Sequence, residues 1–359
     1  MTISDAVKKQ RQDIKSDKMD MSFGEIMNMY KNDEIIISPE YQRAFRWDIQ
    51  KQTDFIESIL LGIPFPSIFV VGNEDGKWEL IDGLQRVSTV LSFFGELKTP
   101  DKNNLKLSSG GLLPQLEDMS IDNLPTDLKL SIKRTPCRIE IIQRDSQFEL
   151  RYELFKRLNT GGEGLERQEI RNCVFRGFTQ YEYFTKLIET HSMNSDLHKI
   201  AYISQDQKDK MLYQELCLRF FALHNFINEY SEKSIQDFFD KVMKNQCENP
   251  DINLADTSFS VFQRICAYLS TTEENVFKLA RLNFSTSMYD SIMITLADSQ
   301  LFERIPIDGF LASLEVLKSS VEFRENSGSA SSSPRNIKKK VEIAKQILIG
   351  DSNGENINR

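Results

Sequence analysis

Residues 78–94, WELIDGLQRVSTVLSFF, constrain the fold more than any other stretch of the chain. An apolar run closes at Ile81, Asp82-Gly83 makes a tight turn, and apolar residues then recur at helical spacing over 85–94 until Gly95 stops them. A strand that passes into a helix through two residues belongs to a mixed α/β layer, with the helix packed back on the sheet. The same junction aims unsatisfied N–H groups and the positive end of the helix dipole beyond the strand end, a setting that suits phosphate.

The flanking segments fit such a layer. Residues 67–71 and 77–81 read as two strands around an Asp75-Gly76 turn. A helix is predicted over 50–61, with Phe55, Ile56, Ile59 and Leu60 on one face and Gly62 at its stop. Upstream, Phe23, Ile26, Met27 and Tyr30 follow the candidate cap Ser22 at helical spacing, and 34–37 is a short β-branched strand. Residues 1–21 read as a polar leader, 99–128 as an irregular insertion, and 138–142 as another strand. A helix over 147–158, the loop NTGGEG and a helix from 165 complete the front half.

From about residue 178 strand-like runs become scarce. Helices are predicted over 208–226, 235–243, 259–269, 273–280, 288–297 and 307–317. NSGSASSSP, residues 326–334, reads as a flexible linker before a last helix over 335–349. The expected organisation is a mixed domain over 22–177, a helical domain over 178–325, the linker, and a C-terminal helix and tail over 335–359.

A chain of 359 residues has room for two such cores. Its net charge of −8 argues against nonspecific coating of DNA, which needs a basic surface, so any nucleic-acid role must rest on a local site. No apolar run is long enough to cross a bilayer, and the N-terminus has no apolar signal core. The five cysteines are scattered, odd in number and never in a C-x-x-C pair, the usage of reduced thiols in a cytoplasmic protein.

Three clusters offer chemistry. In the first, Arg86 stands in the opening turn of a helix, where the dipole disfavours a cation. It reads either as a phosphate fork beside a metal- or water-holding Asp82, or as a solvated arginine beside a capping aspartate. In the second, Tyr41, Phe45 and Trp47 alternate with Arg43 and Arg46, which fits base stacking and phosphate binding, or a packing loop with Trp47 in the core. In the third, Asn159 opens the glycine-rich loop, and the next helix carries Gln168, Glu169, Arg171 and Asn172. That polar face exceeds what solvation needs, although helix–loop–helix packing would also account for it. The loop lacks the Gly-Lys-Ser/Thr ending of a P-loop.

In this order the three segments resemble the N-terminal domain family of GmrSD-type restriction enzymes, which has a ParB/sulfiredoxin-like fold. The family's I-D-G-Q-Q-R motif is met by Ile81, Asp82, Gly83, Gln85 and Arg86, with Leu84 at the first glutamine. Its Y-Q-R-x-x-R-W signature is met by Tyr41, Gln42, Arg43, Arg46 and Trp47, and its F-x-R-L-N-x-x-G-x-x-L segment by Phe155, Arg157, Leu158, Asn159, Gly162 and Leu165. The resemblance covers about residues 23–172. It implies an α+β chain, a ParB-like domain followed by an all-helical one, that binds and hydrolyses a nucleoside triphosphate with Mg²⁺ in the restriction of invading DNA. Carried over by position, Asp82, Gln85 and Arg86 are the catalytic candidates, with Asp82 also the metal ligand. Tyr41, Gln42, Arg43, Arg46, Gly83 and Asn159 are candidates to line the nucleotide. Leu84 removes a polar group from the motif, which weakens the expectation of hydrolysis relative to binding.

Relatives of this kind often work with an HNH nuclease. His191, His198 and His224 do not stand in such a motif, so a partner protein is expected to cut the DNA. Two other readings remain: a nucleotide-switched binding module without turnover, and a nuclease acting from the α/β domain itself. The run Arg335, Lys338, Lys339, Lys340 at a helix start reads as a solvated face or as a hint of an anionic partner. An oligomer is compatible with all of these readings.

Overall fold

A computed structural model describes residues 2–5, 7, 16–37, 45, 47–72, 75–143, 153–154, 157, 166–175, 182–272, 274–280, 284–299, 301–303, 305–328 and 331–350. The chain divides into two compact units, Met1–Leu165 and Glu166–Arg359.

The first unit is built on a five-stranded mixed sheet of order β1-β5-β3-β4-β2. Its strands are β1 (Ser16–Ser22), β2 (Ile35–Ile36), β3 (Ile68–Gly72), β4 (Trp78–Asp82) and β5 (Pro136–Gln143). β3 pairs antiparallel with β4 and parallel with β5, β1 lies antiparallel on the outer edge of β5, and β2 runs parallel to β4. The helices α1 (Phe23–Lys31), α2 (Ile49–Leu61), α3 (Leu84–Phe94) and α4 (Thr126–Arg134) accompany the sheet.

These helices follow from local chemistry. Ser22 and Asp48 each accept a backbone N–H at the starts of α1 and α2, and Gly62 and Gly95 end α2 and α3 in the left-handed conformation. Phe23, Phe55 and Phe65 meet beneath them with ring centroids 5.4–6.2 Å apart. Ile56, Ile68, Val70, Leu80, Leu91 and Ile139 fill the core, each at most 1 % exposed.

One expectation for this unit is overturned. The end of the polar leader is not leader but strand β1, paired residue for residue with β5 from Ser16–Ile142 to Ser22–Pro136. The segment SDKMDMS carries no β-branched residue, and its first five residues are exposed. Its strand character comes from the ladder β5 offers, and its charges suit an uncovered sheet edge. The insertion is also partly regular, with short 3-10 turns at Pro100–Lys102 and Pro114–Leu116 and the start of α4.

Among its described residues the second unit contains helices and short turns. They are α5 (Arg167–Phe175), α6 (Glu182–Ser192), α7 (Ser195–Ile200), α8 (Gln205–Asp209), α9 (Leu212–Phe226), α10 (Ile235–Glu248), α11 (Ile252–Leu269), α12 (Thr286–Ser299), α13 (Ile307–Ser319), α14 (Val321–Asn326) and α15 (Pro334–Gly350). α9 is the hub: every residue from Leu216 to Leu223 is buried, and α6, α10, α11 and α12 pack around it.

Three details differ from expectation here. The predicted helix over 208–226 breaks at Met211, which takes φ 60°, and α8 has its own Ser204–Gln207 capping box. The described residues of 273–280 form turns, with Val276 and Phe277 fully buried as a plug and Ala280 at φ 52°. The serine-rich segment is a short connection with defined partners: Ser332 accepts the Tyr230 hydroxyl at 2.7 Å, and Ser333 Oγ accepts the Asn336 N–H near the start of α15. α15 packs on α12, α13 and α14 and buries Ile337, Val341, Ala344 and Leu348. Two members of its basic run are engaged within the protein. Lys340 is 2 % exposed and donates to Ser287 Oγ at 2.7 Å, and Lys339 pairs with Glu322 and Glu342.

Candidate functional site

β4 carries Leu80 and Ile81 into the core and delivers Asp82, half-buried, to the sheet end. Gly83 then turns the chain at φ 95°, and a Cβ there would lie 2.9 Å from Ile68 Cγ1. Both facts demand glycine, because an L side chain would be strained by the backbone angle and would collide with β3. Gly83 has no side chain to cap α3, and no acidic residue stands in the first turn. The helix thus begins without the aspartate or serine that usually takes up its first N–H groups.

Leu84 is 6 % exposed and points into the core. It serves as a packing residue at the turn. Its side chain is apolar and buried at the start of α3.

Gln85 and Gln52 act together on the preceding loop. Gln85 Oε1 accepts the Trp47 N–H at 3.1 Å, and Gln52 Nε2 donates to the Trp47 carbonyl at 2.7 Å. Both backbone groups of Trp47 are thereby fixed, and its ring meets Phe55 edge-on at 5.8 Å. The end of the aromatic–arginine segment is thus tied to the strand-to-helix turn. Sequence reasoning missed Gln52, which is 8 % exposed on the apolar face of α2. The available signal was its spacing: 52, 55, 56 and 59 share one face, and a glutamine there needs a polar partner. Phe45 is also engaged, with Lys102 Nζ 5.6 Å from its ring centroid and 3.4 Å from its carbonyl.

Arg86 is not a solvated surface arginine. It is 9 % exposed, and its Nη2 donates to Asp82 Oδ2 at 2.8 Å. Its Nη1 donates to the carbonyls of Pro66 and Ser67, the latter at 3.2 Å. The fork is taken up by the protein, tying the end of β4 to the entry of β3. Burial pulls the guanidinium below its ordinary pKa, and Asp82 works against that shift. Cys137 lies close enough to Arg86 to feel its charge, yet burial pushes its thiol up to about 12, where it does not act as a nucleophile.

Tyr41, Gln42, Arg43, Arg46 and Asn159 lie outside the described residues. The polar face of the third cluster is placed, and it is interior. Arg171 is fully buried and donates to Asp240 at 2.7 Å, Gln236 Oε1 at 2.6 Å and Gln168 at 3.1 Å, while Asn172 donates to Gln214 at 2.6 Å. These bonds knit α5 to α9 and α10 within the second unit. The histidines stack on rings: His191 on Phe259, His198 on Tyr213 and His224 on Phe220. Among the described residues no three His, Cys, Asp or Glu side chains converge as a metal cluster, and no helix is long and apolar enough to cross a membrane.

The turn and its partners sit inside a stretch that comparison identifies. Residues 23–176 match the family of the GmrSD restriction endonuclease, N-terminal domain. This stretch is a GmrSD-type N-terminal domain. All three clusters fall within it, and the match runs past the first compact unit as far as residue 176. No curated protein and no solved structure matches the chain.

Proposed function

We propose that the chain is the nucleotide-binding, NTP-hydrolysing subunit of a DNA restriction or phage-defence system, and that a separate HNH-nuclease protein cuts the DNA. The GmrSD-type domain supports the restriction context. The observation that carries the nucleotide reading is the turn itself: a helix start without a capping side chain, beside a part-exposed carboxylate, tied to the aromatic–arginine loop.

In this reading the first-turn N–H groups of α3 receive the phosphates. Asp82 uses one carboxylate oxygen to hold Arg86 and presents the other to Mg²⁺ or to the attacking water. A single carboxylate fits Mg²⁺, which commonly takes one or two from protein and the rest from phosphate and water. The metal would neutralise phosphate charge. Arg86 is a positioning residue, because three of its five N–H donors hold Asp82 and the entry of β3. Gln85 holds the backbone of Trp47, the residue that follows Arg46 in the sequence.

The test is phosphate release from ATP, GTP, CTP and UTP with Mg²⁺, with and without DNA, for wild type and Asp82→Asn. Turnover that falls at least a hundredfold in the variant, at a temperature where unfolding curves show both proteins folded, is the expected result. Tight binding without multiple turnover would replace hydrolysis by a ParB-like switch, and no binding of any nucleotide would end the proposal.

A further inference from the structure

Beside the Asp82–Arg86 turn lies a cleft of about 790 Å³, walled by the end of α2, the loop into β3, the end of α4 and the start of β5. Its size is that of a small-molecule pocket. Ser67 lines it, and the Ser67 carbonyl accepts from Arg86, so the cleft and the turn share a wall.

The sheet sets the spacing. β4 ends where β3 and β5 begin, since Asp82 pairs with Phe69, Ile68 with Ile139, and Arg138 with Asp20 of β1. Asp82, Ser67 and Arg138 therefore lie along one end of the sheet on or beside successive strands. Two strand spacings and a two-residue step along β5 separate Asp82 from Arg138, about 12 Å. That is the scale of the distance between the terminal phosphate and the sugar of a nucleoside triphosphate.

The lining suits the uncharged half of such a ligand. Ile63, Pro64 and Phe65 offer apolar surface on one side, with Ile63 41 % exposed. The lining also carries Ser131 and the Arg138–Asp20 pair, 3.2 Å apart and more than half exposed. A base is flat and apolar on its faces, with donors and acceptors on its edge. Arg138 can donate to an edge acceptor and Asp20 can accept from an edge amine. A phosphate group would gain little here, because Asp20 offsets Arg138.

We infer that this cleft is the nucleoside subsite: it takes the base and ribose of the triphosphate whose phosphates meet the start of α3. The inference rests on the nucleotide reading above, and its test separates the two. Binding of the four nucleoside triphosphates and of inorganic tripolyphosphate, each with Mg²⁺, is measured by calorimetry. The proteins are wild type, Ser131→Trp, which fills the cleft from the exposed face of α4, and Arg138→Ala. Wild type binds its preferred nucleotide at least tenfold more tightly than tripolyphosphate. Ser131→Trp loses at least tenfold for the nucleotide and Arg138→Ala at least threefold, while both hold tripolyphosphate within twofold of wild type. Retained tripolyphosphate binding also shows that the variants are folded. Equal wild-type affinity for nucleotide and tripolyphosphate, or unchanged nucleotide affinity in both variants, overturns the subsite and leaves the phosphate reading standing. A wild type that binds neither ligand overturns both.

Discussion

Arg86→Ala should destabilise the first unit whether or not nucleotide is present. The side chain makes three donor contacts, to Asp82 Oδ2 and to the carbonyls of Pro66 and Ser67. Removing one partner of a fully buried ion pair costs roughly 3–5 kcal/mol. Here the Asp82 side chain is 29 % exposed and Pro66 lies at the surface, so water recovers part of the loss. The expected cost is about 2–3 kcal/mol, with two stranded carbonyls contributing roughly 1 kcal/mol each before rehydration. For a unit of this size that corresponds to a fall in melting temperature on the order of 5–10 °C. The assay is thermal unfolding of ligand-free protein by circular dichroism, with Arg86→Lys alongside. Lysine keeps the charge but loses the fork, and should fall between wild type and alanine. A ligand-free Arg86→Ala that melts within 1 °C of wild type would refute the interior tie. It would return the guanidinium to direct contact with phosphate.

Gly83→Ala combines a backbone angle of 95° with a Cβ 2.9 Å from Ile68, and should cost about 2–4 kcal/mol. Gly76→Ala, at φ 80° with open space around it, should cost only about 1 kcal/mol; equal losses in urea unfolding would remove the close approach to Ile68 as a cause. Lys340 offers a test in pH. Burial is the main cause that lowers its pKa to about 8, so between pH 8 and 10.5 the unfolded state binds more protons. Its share of stability is therefore complete above 10.5 and lost as pH falls through 8, a difference of roughly 3 kcal/mol. Lys340→Met strands the Ser287 hydroxyl at about 1 kcal/mol, so it should be more stable than wild type by roughly 1–2 kcal/mol at pH 7 and less stable at pH 10.5. A difference between the two proteins that does not vary with pH would contradict this assignment.

Much of the first unit follows from local pattern. Ser22, Asp48, Gly62 and Gly95 bound their helices by capping chemistry that acts over three or four residues, so spacing alone reveals it. The Asp82-Gly83 turn belongs to the same class, which is why the strand, the turn and the helix start were all legible. The three-part resemblance was legible because it rests on residue order and identity, which are read without a fold.

Tertiary structure decided what local pattern does not encode. Ser16–Ser22 is a strand because β5 lies beside it, a partner more than a hundred residues away. Leu84 is a buried packing residue, and no periodicity marks which residue of a first turn enters the core. The fate of a polar side chain was the least legible feature. Arg86, Gln52, Arg171 and Lys340 resemble surface or ligand-facing groups in the sequence, yet each is at least nine-tenths buried and bonded within the protein. A long polar side chain looks the same in sequence whether water, a ligand or a distant carbonyl accepts its hydrogen bond. Only the three-dimensional arrangement of acceptors chooses among them.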